Sequence, residues 1–262
     1  MSKQNLSENP RHRVRSVAIL GLYGQLNLGN ECTLEALIAG LRCKNPGISM
    51  TAVCTGPDDV TERHGIDAIH LYSISDDEET SKHSSRVLGM LWRPIRIVFR
   101  RVPQEIRGLY RAISIMRQKD MLLIGGTGIL EDNIGWSMNW IWNLSKWILA
   151  AKHSGAKVAF VSIGAGPISR RVDRWFIKRL LGGADYVSYR DSCSIEHMQA
   201  LGLATQNHFR FPDLAFGLPE DAEEWRDKDK ASETVAVGVM DYVGQRNSRL
   251  PVEGAYENYA VS

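Results

Sequence analysis

The strongest constraint on this chain is the alternation of short apolar runs with longer stretches of helical periodicity. Ser16–Leu20 (SVAIL) reads as a buried strand that runs straight into Gly21. Residues 31–42 follow as a helix, with Leu34, Leu37, Ile38 and Leu41 on one face at helical spacing. Asn45-Pro46-Gly47 breaks that helix, and Ser49–Cys54 and 67–71 supply two further strands. The acidic, polar stretch 73–85 is expected to be an exposed loop. The pattern then resumes with a strand at 121–124, a helix over Ser137–His153 closed by Gly155, and a strand over Lys157–Ile163. A helix at 172–181 stops at Gly182-Gly183, Tyr186–Tyr189 is a strand, 192–201 is a helix ended by Gly202, and 208–211 is a short last strand. Strands that alternate with helices imply a parallel sheet covered on both faces, so the expected class is α/β with a Rossmann-like sheet. Ligands of such sheets lie at the carboxyl ends of the strands. Three strands here run directly into glycine-rich loops, after Leu20, Ile124 and Ile163.

The same pattern suggests a division of the chain. Residues 1–13 read as a loose tail, 14–218 as the Rossmann-like domain, and 219–233, dense in charge, as a linker. Residues 234–240 (TVAVGVM) form a fresh apolar strand, but 241–262 hold no convincing helix. A buried parallel strand needs neighbours and a crossover. The strand is therefore expected to open a second domain, 234–262 being its incomplete start; the competing reading adds it to the edge of the first sheet.

Bulk properties narrow the class. A hydrophobic fraction of 44% can build a core, and 24% charged residues is ordinary for a folded soluble domain. A formal net charge of +2 gives no electrostatic reason to expect nucleic acid as a partner. Cys32, Cys43, Cys54 and Cys193 make no C-x-x-C pair and have no histidine cluster at metal-ligand spacing, so no metal is expected. They are expected as buried reduced thiols, which favours a cytoplasmic setting. The polar, basic start of the chain lacks the apolar core of a signal peptide. No uninterrupted apolar run reaches the roughly 18 residues that a membrane span needs.

The loops that follow the strands are where chemistry is expected. In the first, glycines at 21, 24 and 29 would let backbone amides approach a ligand, and the helix behind offers its positive end to a phosphate or carboxylate. It is not a dinucleotide fingerprint, because Tyr23 and Leu26 stand where G-x-G-x-x-G needs glycine, and no G-K-[ST] of a Walker loop is present. A tight strand-to-helix turn with no ligand explains the loop equally well. The second loop is Gly125-Gly126-Thr127-Gly128-Ile129-Leu130-Glu131-Asp132, in which Asp132 is a base, an acceptor for sugar hydroxyls, or a helix cap. The third carries Gly164 and Gly166; the fourth is Tyr189-Arg190-Asp191-Ser192, where Arg190 can grip an anion and Asp191 or Ser192 can simply cap the next helix. The fifth is Pro212-Asp213-Leu214-Ala215-Phe216.

In order and spacing, GLYGQLNLGNE, GGTGILED, SIGAGPI, YVSYRDSCSIEHMQALG and PDLAF resemble the polysaccharide pyruvyl transferase family across residues 16–240. The resemblance implies two Rossmann-like domains facing each other across a cleft, as in glycosyltransferases of the B type, this chain supplying the N-terminal half. It implies transfer of a pyruvyl group from phosphoenolpyruvate to a sugar of a surface polysaccharide or its lipid-linked precursor, with no cofactor. The basic residues that hold phosphoenolpyruvate are implied to lie largely in the second domain. Under this reading Asp132, Glu31 and Asp191 are candidate catalytic acids and bases. Gly24, Asn27, Gly29, Asn30, Gly125, Gly126, Thr127, Gly128, Gly164, Gly166, Arg190 and Asp213 are candidate substrate-binding residues. Two positions depart from the family pattern: Asn30 stands where it has Asp, and Thr127 replaces the middle glycine of a triple. Asn keeps a hydrogen-bonding oxygen but cannot act as a base. The rivals are a glycosyltransferase using a nucleotide sugar and a non-catalytic sugar- or anion-binding module.

Two segments invite a functional reading and have a plainer one. Trp136, Trp140, Leu144, Trp147 and Ala151 share a helical face; a sugar platform is conceivable, and core packing is the expectation. Residues 86–111 hold seven arginines and one acid, Glu105, interspersed with apolar residues. Pro94 and Pro103 are expected to break the segment into pieces packed on the domain, with arginines facing water. The alternative is peripheral contact with an anionic membrane, at the inner face of the cell membrane.

Overall fold

A computed structural model describes residues 14–25, 27–72, 89–126, 130 and 137–218. The elements alternate in chain order. β1 (Ser16–Leu20), α1 (Leu28–Lys44), β2 (Ser49–Cys54), α2 (Pro57–His64), β3 (Asp67–His70) and α3 (Gly89–Met116) come first. β4 (Met121–Gly125), α4 (Ser137–His153), β5 (Lys157–Ile163), α5 (Arg171–Gly182), β6 (Tyr186–Tyr189), α6 (Ser192–Ala200) and β7 (Phe209–Arg210) complete the series. The seven strands form one sheet in the order β3-β2-β1-β4-β5-β6-β7, and every pairing is parallel. The α/β, Rossmann-like expectation is met.

Both faces of the sheet are covered, which is why its central strands β1 and β4 carry apolar residues on both faces rather than at alternate positions. Val17 and Ile19 pack with Leu34, Leu37 and Ile38 of α1 and Val60 of α2. Their neighbours Ala18 and Leu20 face the other way, against Ala112 and Met116 of α3, Trp140, Leu144 and Trp147 of α4, and Ile177 and Leu180 of α5. The chain changes face between β3 and β4, so the loops after β1 and β4 diverge at the topological switch point.

Four details differ from the expected pattern. α1 starts at Leu28, not residue 31, because Asn27 caps it: its Oδ1 accepts from the N–H groups of Gly29 and Asn30. α2 has no expected counterpart. α3 is one continuous helix despite Pro94 and Pro103, correcting the expected break; each ring removes a donor, but its fixed φ lies in the helical range. Of the four free thiols only Cys54 is buried; Cys32 is half-buried, and Cys43 and Cys193 are exposed, at the last turn of α1 and the start of α6. Trp140, Trp147 and Ala151 are core residues as expected, whereas Trp136 lies outside the described residues, as do the 73–85 loop, the 219–233 linker and the 234–240 strand.

Candidate functional site

At the carboxyl edge of the sheet the loop after β1 folds back on the protein itself. The N–H of Gly21 donates to the Val53 carbonyl, that of Gly24 to Glu31 Oε1 at 2.8 Å, and that of Gly29 to Asn27 Oδ1. These amides are taken, which corrects the expectation that they are free to hold a ligand's oxygens. Gly24 has φ +76° and packs backbone to backbone against Gly56, whose N–H donates to Tyr23 O, so the loop is clamped to the one after β2. Asn30 Nδ2 donates to Leu22 O, a structural use of the side chain that stands in place of the family's Asp.

Glu31 belongs to the same clamp. Its carboxylate is buried, with Oε1 on Gly24 and Oε2 3.1 Å from His64 Nε2, which ties α1 to α2. Both oxygens therefore face the protein, and the catalytic reading of Glu31 gives way to a positioning one. The glycines after β4 answer to packing as well. A Cβ on Gly125 would lie 2.7 Å from Leu37 Cδ1 and from Tyr23 Oη, and one on Gly126 would lie 3.0 Å from Thr33 Cγ2. Gly126 N–H extends the sheet to Val161 O, and Gly166 N–H donates to Leu130 O. Thr127, Gly128 and Asp132 lie outside the described residues.

The ends of β5, β6 and β7 converge differently. Arg190, just past β6, places its guanidinium between two carboxylates: Nη1 is 3.2 Å from Asp213 Oδ2 and Nε is 3.4 Å from Asp191 Oδ2. The plane lies on Gly164, where a Cβ would sit 2.8 Å from Nε and 2.9 Å from Cζ. Only glycine at 164 leaves room for that arginine. Asp191 also caps α6 through Ser194 N–H at 2.6 Å, and Asp213 caps the short 3₁₀ turn Leu214–Gly217 through Ala215 N–H. Partial burial pushes the Asp191 carboxyl up, but the Ser194 N–H and hydroxyl and the Arg190 guanidinium outweigh it and hold it below the ordinary carboxylate range. A carboxylate so stabilised accepts hydrogen bonds well and is a poor base at neutral pH.

Arg190, Asp191 and Asp213 line an open hollow of about 700 Å³. Its other wall holds Arg210, which donates to Ser192 Oγ, and the exposed rings of Phe211 and Phe216. Reading the sequence singled out Arg190, Asp191 and Asp213 separately; it missed Arg210 and Phe211, whose only signal is their place immediately before Pro212-Asp213. It also missed Ser162, a non-glycine residue at φ 48° where the β5–β6 register shifts. Ser162 N–H donates to Ser188 Oγ and its Oγ donates to Pro212 O, so this strained residue fixes the end of β5 against the loop that carries Asp213.

A doubly wound parallel sheet with an open hollow across the ends of its later strands defines a Rossmann-like domain, a class in which ligands are generally held at the carboxyl ends of the strands. The family model for polysaccharide pyruvyl transferase matches residues 27–258, and the chain belongs to that family of transferases. A search of curated proteins returned no match. Among solved structures, the chain is similar to UDP-N-acetylglucosamine 2-epimerase from Rickettsia bellii, with 14% identity, TM-score 0.46, and coverage of 79% of this chain and 47% of that one. It is also similar to UDP-GlcNAc 2-epimerase from Methanocaldococcus jannaschii, with 12% identity, TM-score 0.44, and coverage of 75% and 45%. The chain spans about half the length of the solved structures it matches.

Proposed function

We propose that this domain takes part in pyruvyl transfer from phosphoenolpyruvate to a carbohydrate, and that its hollow receives the carbohydrate acceptor. The observation that carries the assignment is the charge balance of the hollow. Arg190 and Arg210 face Asp191 and Asp213, so the lining carries paired charges yet is neutral, and Phe211 and Phe216 give it a sizeable apolar part. A trianionic donor is better served by a surplus of positive charge. A sugar has hydroxyls that both donate and accept, and an apolar face that packs on aromatic rings, which is what paired carboxylates, guanidinium groups and phenylalanines supply.

In the proposed reaction one sugar hydroxyl adds to C2 of phosphoenolpyruvate while a proton adds to its methylene carbon. A second hydroxyl then displaces phosphate, giving a ketal. Of the two hydroxyl protons one is balanced by the new methyl group and the other leaves with phosphate. Arg190, held by Asp213 and Asp191, orients hydroxyls, and Asp132 is proposed as an acceptor for them. The residues that bind phosphoenolpyruvate are proposed to belong to a second domain that 234–262 begins, after the 219–233 linker. A lipid-linked sugar precursor is the proposed form of the acceptor, and the inner face of the cell membrane the proposed place. The test is phosphate release from phosphoenolpyruvate by the full-length enzyme with and without sugar acceptors, comparing wild type with Asp213→Asn. A rise in acceptor KM with the donor KM unchanged supports the assignment. A rise in donor KM alone overturns it.

A further inference from the structure

The outer surfaces of α3, α4 and α5 have no part in the site at the strand ends, and the composition of these three helices is unlike the rest of the chain. α3 carries six arginines and one acid, α4 two lysines and no acid, and α5 four basic residues and one acid. That is a net +10 on three helices of a chain whose whole charge is +2, leaving −8 on everything else. The α4 lysines are paired, Lys146 with Glu105 and Lys152 with Asp185, so among the described residues of these helices the free cations belong to α3 and α5. Neither acid is available to solvent as a free charge. Glu105 is bound by Lys146 Nζ at 3.1 Å and Trp142 Nε1 at 2.8 Å, and Asp173 is fully buried.

Large apolar side chains stand exposed beside the exposed cations Arg107, Arg111, Arg171, Arg174, Lys178 and Arg179. Val102, Ile106 and Tyr110 repeat every fourth residue and form one ridge of α3, with Arg107 and Arg111 one residue further round the helix. Trp142 and Leu149, two turns apart on α4, and Val172 and Trp175 on α5 continue the exposed apolar surface. Besides Val172, the exposed side chains around Trp175 on its own helix are basic: Arg171, Arg174, Lys178 and Arg179. Arg179 lies over the Trp175 ring at 5.4 Å. The three helices pack side by side on one face of the sheet, α3 on α4 and α4 on α5, so these groups share one side of the domain.

We propose that this face docks on an anionic lipid bilayer. Its cations match anionic headgroups in charge, and its exposed tryptophans and tyrosine have the half-apolar, half-polar character that settles at the headgroup level. No helix among the described residues is long and apolar enough to cross a membrane, so the contact is peripheral. The inference goes beyond the proposed transfer reaction and does not depend on it, because binding is read without any substrate.

The experiment is co-sedimentation of the full chain with vesicles of phosphatidylcholine alone and of phosphatidylcholine with phosphatidylglycerol, at low and physiological salt. Binding is expected only with the anionic lipid and should weaken as salt rises. Each basic residue near such a surface contributes roughly a fivefold factor, so Arg107→Glu with Arg111→Glu should weaken binding by about 25-fold or more. Trp175→Ala should weaken it at every salt concentration, and Arg107→Lys with Arg111→Lys should keep it. The substituted side chains are exposed, and unchanged circular dichroism will show that the variants fold. No binding to anionic vesicles overturns the proposal, as does binding that survives the charge reversals. Reversals that dissociate an oligomer in sedimentation velocity, in a protein that ignores vesicles, make the face a self-interface and also overturn it.

Discussion

Gly164→Ala perturbs the hollow through Arg190 without replacing any side chain that would contact a ligand. The backbone at Gly164 does not occupy the left-handed region, so alanine meets no torsional penalty there. Its Cβ would lie 2.8 Å from Arg190 Nε, 2.9 Å from Cζ and 3.0 Å from Nη2, so the guanidinium must swing away. That end of the side chain is free enough to move, and the ion pairs it leaves are part-exposed, with Arg190 36% exposed and Asp213 28%. Pairs of this kind contribute about 0.2–1 kcal/mol each, so the stability loss should stay below about 2 kcal/mol. The loss to ligand binding should be larger. If Arg190 donates one charge-assisted hydrogen bond to an acceptor hydroxyl, its displacement costs about 1.5–3 kcal/mol, or roughly a 10- to 100-fold rise in acceptor KM. Steady-state phosphate release by the full-length enzyme measures it, with acceptor and phosphoenolpyruvate varied in turn. The double variant with Arg190→Ala supplies the control: once the guanidinium is gone the added methyl group should be nearly silent, so the two effects are strongly non-additive. Additive losses would show that Gly164 acts by another route. A rise confined to the phosphoenolpyruvate KM would show that Arg190 grips the donor and that charge balance misled the assignment.

Three further outcomes follow from the geometry. Glu31→Ala should cost about 2–3 kcal/mol in urea unfolding, because it strips the part-buried Gly24 N–H and His64 of their acceptor, whereas Glu31→Gln should retain activity; loss of turnover in a stable Gln variant would restore Glu31 as a base. Ser162→Gly should be more stable than Ser162→Ala by about 1 kcal/mol in thermal melts, since both lose the bond to Pro212 O but only glycine relieves the φ of 48°. Burial pushes the Asp185 carboxyl up, but Lys152, the Val158 N–H and Lys157 outweigh it and hold its pKa well below the usual range. A depressed folded-state pKa contributes stability that is present above the unfolded value of about 3.9 and lost as pH falls below it towards the folded value. Asp185→Asn should therefore cost about 1–2 kcal/mol at neutral pH and progressively less in acid, and an equal cost at both ends would refute the assignment.

What could be read from the sequence, and what could not, divides along one physical line. The strands were readable because both their faces are buried, so β1, β2, β5 and β6 begin and end where their apolar runs do. α2 was not, since Val60 is its only buried residue and no apolar stripe betrays it; yet Pro57 at its start, Asp58 and Asp59 in its first turn and left-handed Gly65 at its end are all helix signals. α3 runs through two prolines, a continuity that no local breaker rule contains, and its C-terminal turns are held in the core by Ala112 and Met116. The site shows the sharper limit. A glycine in a loop says that something comes close, not what. Gly24 admits the backbone of Gly56, Gly125 admits Tyr23, and Gly164 admits Arg190, all groups of the protein itself. Arg190 and Asp213 look unrelated in sequence and meet only because β7 pairs with β6 in parallel, Ser188 opposite Phe209 and Tyr189 opposite Arg210. That register turns two separate loops into one ion-paired wall, so a variant that shifts it should scatter the hollow while leaving β1 to β5 intact.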